Sequence, residues 1–128
     1  AIGKLNEIKI FGSDWLTNDG TGVRDYIHVM DLAEGHLLAL NYLIKEKPQN
    51  LIINLGTGKG TSVLEVVDTF KKVNHCEIPY IFVKRRIGDA PFLVADNKLA
   101  LKNLRWAPIR DLQDICKDSW KYKQINLL

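Results

Sequence analysis

Polar and apolar residues alternate over Ile8-Lys9-Ile10-Phe11 and stop at Gly12, the pattern of a short strand. Ser13 to Gly22 is rich in Asp, Asn, Thr and Gly and predicts a loop. Val23 to Val29, alternating β-branched and aromatic residues, predicts a second strand. Asp31 followed by Glu34 has the form of a capping box, so a helix is expected from Asp31 to about Ile44, with Leu32, Leu37, Leu40 and Leu43/Ile44 as its apolar stripe. Pro48 and Asn50 stand beyond its end.

The nearly continuous apolar run Leu51-Ile52-Ile53-Asn54-Leu55 predicts a strand buried on both faces, a mark of parallel sheets. After Gly56, Ser62-x-x-Glu65 opens a helix carrying Val63, Val66, Val67, Phe70 and Val73. Pro79 to Val83 predicts another strand, so residues 51–83 read as a parallel βαβ unit with a right-handed crossover. Asp96 is expected to cap a short helix through Leu104. Asp111 is expected to cap a final one to about Asn126, with Leu112, Ile115, Cys116 and Trp120 on one face. The fold class expected is therefore α/β: a βαβ unit, a preceding strand pair and C-terminal helices in one domain of residues 1–128.

Composition narrows the classes of function. Hydrophobic residues make up 46% and charged residues 26% of 128, an ordinary globular balance. Eighteen basic and 15 acidic side chains leave a net charge of +3, too little to argue for nucleic acid or a membrane surface. No run of about 18 apolar residues suggests a membrane span. Cys76 and Cys116 fit no disulfide framework or metal spacing and are expected to be reduced, in a cytoplasmic protein. The chain begins at Ala1 and its single methionine is Met30, so it reads as a piece of something longer.

Three motifs invite chemistry and fail on geometry. Gly56-Thr57-Gly58-Lys59-Gly60-Thr61-Ser62 lies where phosphate loops occur, but has Thr61 where a dinucleotide loop needs glycine, and Gly60 after Lys59 where a P-loop needs Ser or Thr. Tyr80-x-x-x-Lys84 has dehydrogenase spacing, yet Ile81, Phe82 and Val83 predict a strand, which keeps the two side chains apart. His28, His36 and His75 share no metal-ligand spacing, and no nucleophile–base set is visible.

Arginines at strand ends are better placed. Arg24 opens the second strand after a glycine loop, and Arg85-Arg86 follow the strand 79–83, with Gly88-Asp89 close behind. A guanidinium pairs two phosphate oxygens at once, and a carboxylate accepts hydroxyls such as those of a ribose. From spacing alone, solvated arginines at strand ends remain the plain alternative.

Ile10-Phe11-Gly12-Ser13-Asp14 with Asp19-Gly20-Thr21-Gly22-Val23-Arg24-Asp25-Tyr26-Ile27-His28-Val29-Met30-Asp31-Leu32-Ala33 resembles the substrate-domain signature of the UDP-glucose 4-epimerase family, within the extended short-chain dehydrogenases/reductases. Asn54 to Val63, Arg85 to Pro91 with Ala95-Asp96, and Trp106 with Leu112-Gln113-Asp114 and Asp118-Ser119-Trp120 resemble its later blocks, so that the likeness runs from about Ile8 to Asn126.

The resemblance implies reversible inversion at C4 of UDP-glucose and UDP-galactose, with hydride passing to NAD and back. It implies that Arg24 and Arg86 clamp the UDP diphosphate, that Asp89 binds the uridine ribose, and that Leu93 lines the sugar pocket. A large aromatic at that position tends to exclude N-acetylated sugars and a small residue to admit them; leucine is intermediate. Asp25, Tyr26, His28 and Asp31 are assigned to holding the Arg24 strand and capping the helix.

It also implies that the cofactor loop, catalytic Ser/Thr and helical Tyr-x-x-x-Lys lie upstream, in an N-terminal Rossmann domain. No catalytic residue, bound NAD or metal is then expected here, and no turnover by the chain alone. The expected partners are a UDP-sugar, that domain and further copies of the chain, with neither nucleic acid nor membrane. A related dehydratase or decarboxylase, a non-catalytic nucleotide-binding module and a small RNA-binding domain are the competing readings; for the last, Trp15, Trp106 and Trp120 fall in loops or a helix rather than on a sheet.

Overall fold

The computed structural model describes residue 3 and residues 5–46 and 50–125, so Pro48 and Asn126 lie outside the described residues. Strand β1 (Ile8–Phe11) pairs in parallel with β4 (Tyr80–Val83), Ile8 opposite Tyr80 and Phe11 opposite Val83. Strand β2 (Val23–Arg24) lies between β3 (Thr61–Ser62), antiparallel to it, and β5 (Phe92–Leu93), parallel to it. Helices α1 (Val29–Lys45), α2 (Val63–Asn74) and α3 (Leu112–Ile125) complete the mixed α/β fold, with a π-helical turn at Ala100–Leu104.

Two apolar clusters hold these elements. Ile10 of β1, Val67 of α2 and Ile78 form one, packed by Val63, Leu64 and Phe70. Ala100, Leu104 and Trp106 form the other, packed by Ile27, Ala39, Tyr42, Ile53 and Leu55. The capping box at α2 forms as its sequence predicts: Glu65 N–H donates to the Ser62 hydroxyl, and Ser62 N–H donates to the Glu65 carboxylate.

The segment 51–55 departs from expectation. Among the described residues it joins no ladder, and the parallel partner of β4 is β1. Its burial alternates: Leu51, Ile53 and Leu55 turn partly inward, while Ile52 is 83% exposed. An apolar run reports hydrophobicity and not hydrogen-bond partners, so it could not separate a paired strand from an extended segment packed by alternate side chains.

Helix α1 differs in a related way. His28, not Asp31, is its N-cap, accepting at Nδ1 from Met30 N–H at 3.1 Å. Asp31 and Glu34 form no capping box because both carboxylates bind Arg110. The helix buries Asp31 and Gly35 and half-buries Ala39 and Tyr42. The apolar positions Leu37, Leu40, Leu43 and Ile44 are left exposed. The strand expected over 23–29 shortens to two residues, since Asp25 is drawn into another contact and His28 begins α1.

Candidate functional site

Arg24 ends β2, where its neighbours Val23 and Phe92 pair across the ladder and Val23 N–H donates to Pro91 O at 2.8 Å. The same register sets Arg24 beside Leu93. Arg86 follows β4, whose pairing with β1 brings it over Phe11, the guanidinium carbon 4.7 Å from the ring centroid. A tight turn returns the chain at once: Asp89 N–H donates to Arg86 O at 3.3 Å, and Gly88 takes φ +86°, a left-handed backbone that glycine adopts without a Cβ clash.

That turn carries Asp89 between the two arginines. Its Oδ2 accepts from Arg86 Nε at 2.9 Å, and its Oδ1 lies 3.8 Å from Arg24 Nη2. The three side chains line one cleft of about 290 Å³ with Lys9, Phe11, Trp15 and Tyr26. A second cleft of about 380 Å³ shares Arg24 and is lined by Asn54, Leu55, Gly56 and Leu93. Arg24 thus stands between an aromatic cleft and one walled by Leu93. Burial pushes the Tyr26 phenol above its usual pKa, and nearby Arg24 opposes the shift only in part, so the phenol is a neutral donor at the cleft wall.

Arg85 takes no part in this cluster. It donates through Nε to Asp14 at 2.7 Å and stacks 4.0 Å from the Trp15 ring centroid, tying the loop after β1 to the end of β4.

The glycine-rich turn is explained by Asp25. Thr57 N–H and Gly58 N–H donate to its carboxylate at 2.8 and 2.9 Å, Thr57 Oγ1 at 2.5 Å and Ala95 N–H at 3.3 Å. Burial raises the pKa of this carboxyl, and those hydrogen bonds more than offset it, holding the group below the usual carboxylate range. The turn is an anion cradle already filled by a side chain of its own fold. No room remains at Gly56, where a Cβ would come within 2.5 Å of Ala95 Cβ and 2.7 Å of Asp25 Oδ2. These amides do not fit a nicotinamide dinucleotide phosphate, because they are already committed.

The other motifs resolve as structure. Tyr80 lies on strand β4 and packs edge-on to Phe82 with centroids 5.6 Å apart. Trp106 is buried and donates through its indole N–H to Asp31 O at 3.0 Å, and Trp120 meets Phe70 edge-on. His28 faces Asp118 through Nε2 at 3.1 Å. No group of three metal-ligating side chains occurs among the described residues. Sequence reasoning passed over Phe11, Trp15 and Tyr26 as site residues; their signal was aromatic side chains at the borders of the two arginine-bearing strands.

Comparison with known proteins completes this geometry. Residues 1–56 match the NAD dependent epimerase/dehydratase family. A UDP-glucose 4-epimerase of Dictyostelium discoideum is 50% identical over 126 residues, covering 98% of this chain and 37% of that protein. In sequence the chain is similar to the C-terminal third or so of that UDP-glucose 4-epimerase. It spans about 37% of the length of that curated relative. Among solved structures, the Bifidobacterium longum UDP-glucose 4-epimerase in complex with NAD+ and UDP superposes with a TM-score of 0.91 at 41% identity, over 98% of this chain and 37% of that one. The Stenotrophomonas maltophila UDP-glucose-4-epimerase with bound NAD and formylated UDP-arabinopyranose also gives 0.91, at 45% identity over 95% of this chain and 36% of that one.

Proposed function

We propose that residues 1–128 are the UDP-sugar-binding domain of an NAD-dependent UDP-glucose 4-epimerase that interconverts UDP-glucose and UDP-galactose in galactose metabolism. The observation that carries this reading is the convergence of Arg24 and Arg86, from separate sheets, on one cleft with Asp89 between them. In this reading the diphosphate spans the two guanidiniums, each presenting donors that match phosphate oxygens. Asp89 accepts the ribose hydroxyls, and the sugar lies toward Leu93 in the neighbouring cleft. Leucine there leaves room intermediate between a large aromatic and a small side chain, so N-acetylated sugars are a sensible second substrate to assay.

The chain's own residues bind and orient. NAD supplies hydride chemistry from an N-terminal Rossmann domain of the same enzyme, since the glycine-rich turn here is occupied by Asp25. We therefore expect no epimerase turnover from this chain alone, and assays with UDP-galactose and added NAD test that. Each arginine–phosphate contact is worth about 4 kcal/mol at 4 Å and an effective dielectric of 20, before desolvation. Exposed donors of this kind give salt-sensitive binding. In isothermal titration, Arg86→Ala should weaken UDP at least tenfold; equal affinity in the variant and the original would sink the clamp.

The exposed stripe of α1 supports a further part of the reading. Met30, Leu37, Leu40 and Ile44, 49–72% exposed, recur at heptad-like spacing and offer a second apolar surface a continuous seam. The rest of the enzyme, or another copy of this chain, covers it.

A further inference from the structure

Asp89 holds an unusual place for a group facing an anionic ligand. Its carboxylate lies between the two guanidiniums, 2.9 Å from Arg86 Nε and 3.8 Å from Arg24 Nη2, and is itself only 23% exposed. Among the described residues it is the only acid paired with either arginine. Any phosphate that takes up donors of both arginines must sit close to this fixed negative charge. We propose that Asp89 is a charge filter: it makes the arginine clamp reject bare phosphoanions and accept only those that bring hydroxyl donors to the carboxylate. The inference rests on the clamp reading above and adds to it what the site excludes.

The physical case is a competition for donors. Each guanidinium has five N–H groups. Arg24 already donates through Nη1 to Val23 O at 2.8 Å and faces Asp89 with Nη2, while Arg86 gives its Nε to Asp89. An incoming diphosphate must share or replace these contacts, and like charges brought together in a partly desolvated cleft repel more strongly than in water. Inorganic pyrophosphate has nothing to return to the carboxylate. A nucleoside diphosphate carries two vicinal hydroxyls, and hydrogen bonds from them to an ionised acceptor are among the stronger ones. Discrimination of this kind comes from a repulsive element as much as from an attractive one. Phe11 beneath Arg86 and the turn at Gly88 keep the carboxylate where it cannot swing clear without giving up Arg86.

Asp89→Asn keeps the shape and an acceptor for Arg86 but removes the charge; Asp89→Ser removes the charge with less bulk. Both positions of the comparison are measured by titrating inorganic pyrophosphate and UDP at equal ionic strength, with circular dichroism confirming that each variant is folded. The expected result is pyrophosphate binding about tenfold tighter in both variants than in the original chain, with UDP weaker, so that the preference for UDP falls by more than tenfold. If UDP binds and Arg86→Ala weakens it, but neither charge-neutral variant alters the preference, the filter is wrong and the clamp survives. If pyrophosphate tightens in the variants while UDP is never preferred to it, the nucleotide reading fails and Asp89 excludes anions in general. No binding of either ligand to any of the proteins overturns both.

Discussion

A single carboxylate, Asp25, shows how a residue next to the site can decide its geometry. It collects four donors from Thr57, Gly58 and Ala95 and so fixes the segment that carries Arg24 against the turn before β3 and the residues after β5. Replacing it by asparagine turns an amide N–H₂ toward N–H groups, leaving at least one donor without an acceptor. We expect a loss of about 2 kcal/mol in urea unfolding. The acid limb of stability changes as well. Asp25 and Asp19 both have folded pKa values below their ordinary one. For Asp19 burial raises the value, and hydrogen bonds from Ser62 and Thr21 more than offset it. Their contribution is complete above the unfolded value of about 3.9 and is lost as pH falls through the lower folded values. Urea midpoints measured between about pH 7 and pH 2.5 should therefore fall at the acid end, and fall less steeply in Asp25→Asn; an identical slope would count against the cage. None of this was legible from Asp25 itself. Gly56-Thr57-Gly58 displays its amides in the sequence, but their acceptor lies some thirty residues away, and spacing cannot say which anion fills a cradle.

Among the elements, capping signals were the most readable and pairing partners the least. Ser62 and Glu65 close on each other because both lie within one helical turn, where sequence distance and spatial distance agree. Asp31 and Glu34 have the same spacing, yet Arg110 captures both, a long-range contact that outcompetes the local one. The result is a buried carboxylate, Asp31, whose neutralising partner arrives from the segment just before α3. Arg110→Ala leaves that charge with only the backbone donors of Ile109 and Arg110. We expect a cost of about 3 kcal/mol, with a second change, Asp31→Asn, recovering part of it in a double-mutant cycle. Additive losses would show that the pair is not coupled. The parallel pairing of β1 with β4, rather than of segment 51–55 with β4, was hidden for the same reason: both candidates are short and apolar, and the choice depends on how α2 packs against Ile10.

At the scale of the molecule, the chain leaves a wide apolar surface uncovered. Leu37, Leu40 and Ile44 of α1 face outward, as do Ile52 and Ile109. Sedimentation velocity across a hundredfold range of concentration should show association that grows with concentration, and a double change of Leu37 and Leu40 to glutamine should suppress it; a single sharp monomer throughout would remove self-association from the reading. Among the described residues no helix is long and apolar enough to cross a membrane, so the stripe is not a transmembrane span. The general character of the fold, mixed strands and capped helices with a parallel pair, was present in the periodicity of the chain. The outward face of α1 was not, because a helical stripe shows that something apolar must be met and not what meets it.

The ladder between β1 and β4 also has a kinetic consequence. It joins Ile8 to Tyr80 across most of the chain, and such distant pairings pay a large loop-closure entropy before any contact repays it. Arg86 reaches its place over Phe11 only once that ladder exists. Refolding monitored at Trp106, in the second apolar cluster, should therefore run ahead of the recovery of ligand affinity, and a nascent chain halted before Tyr80 would lack both the strand that leads to Arg86 and the β5 partner against which Arg24 is set.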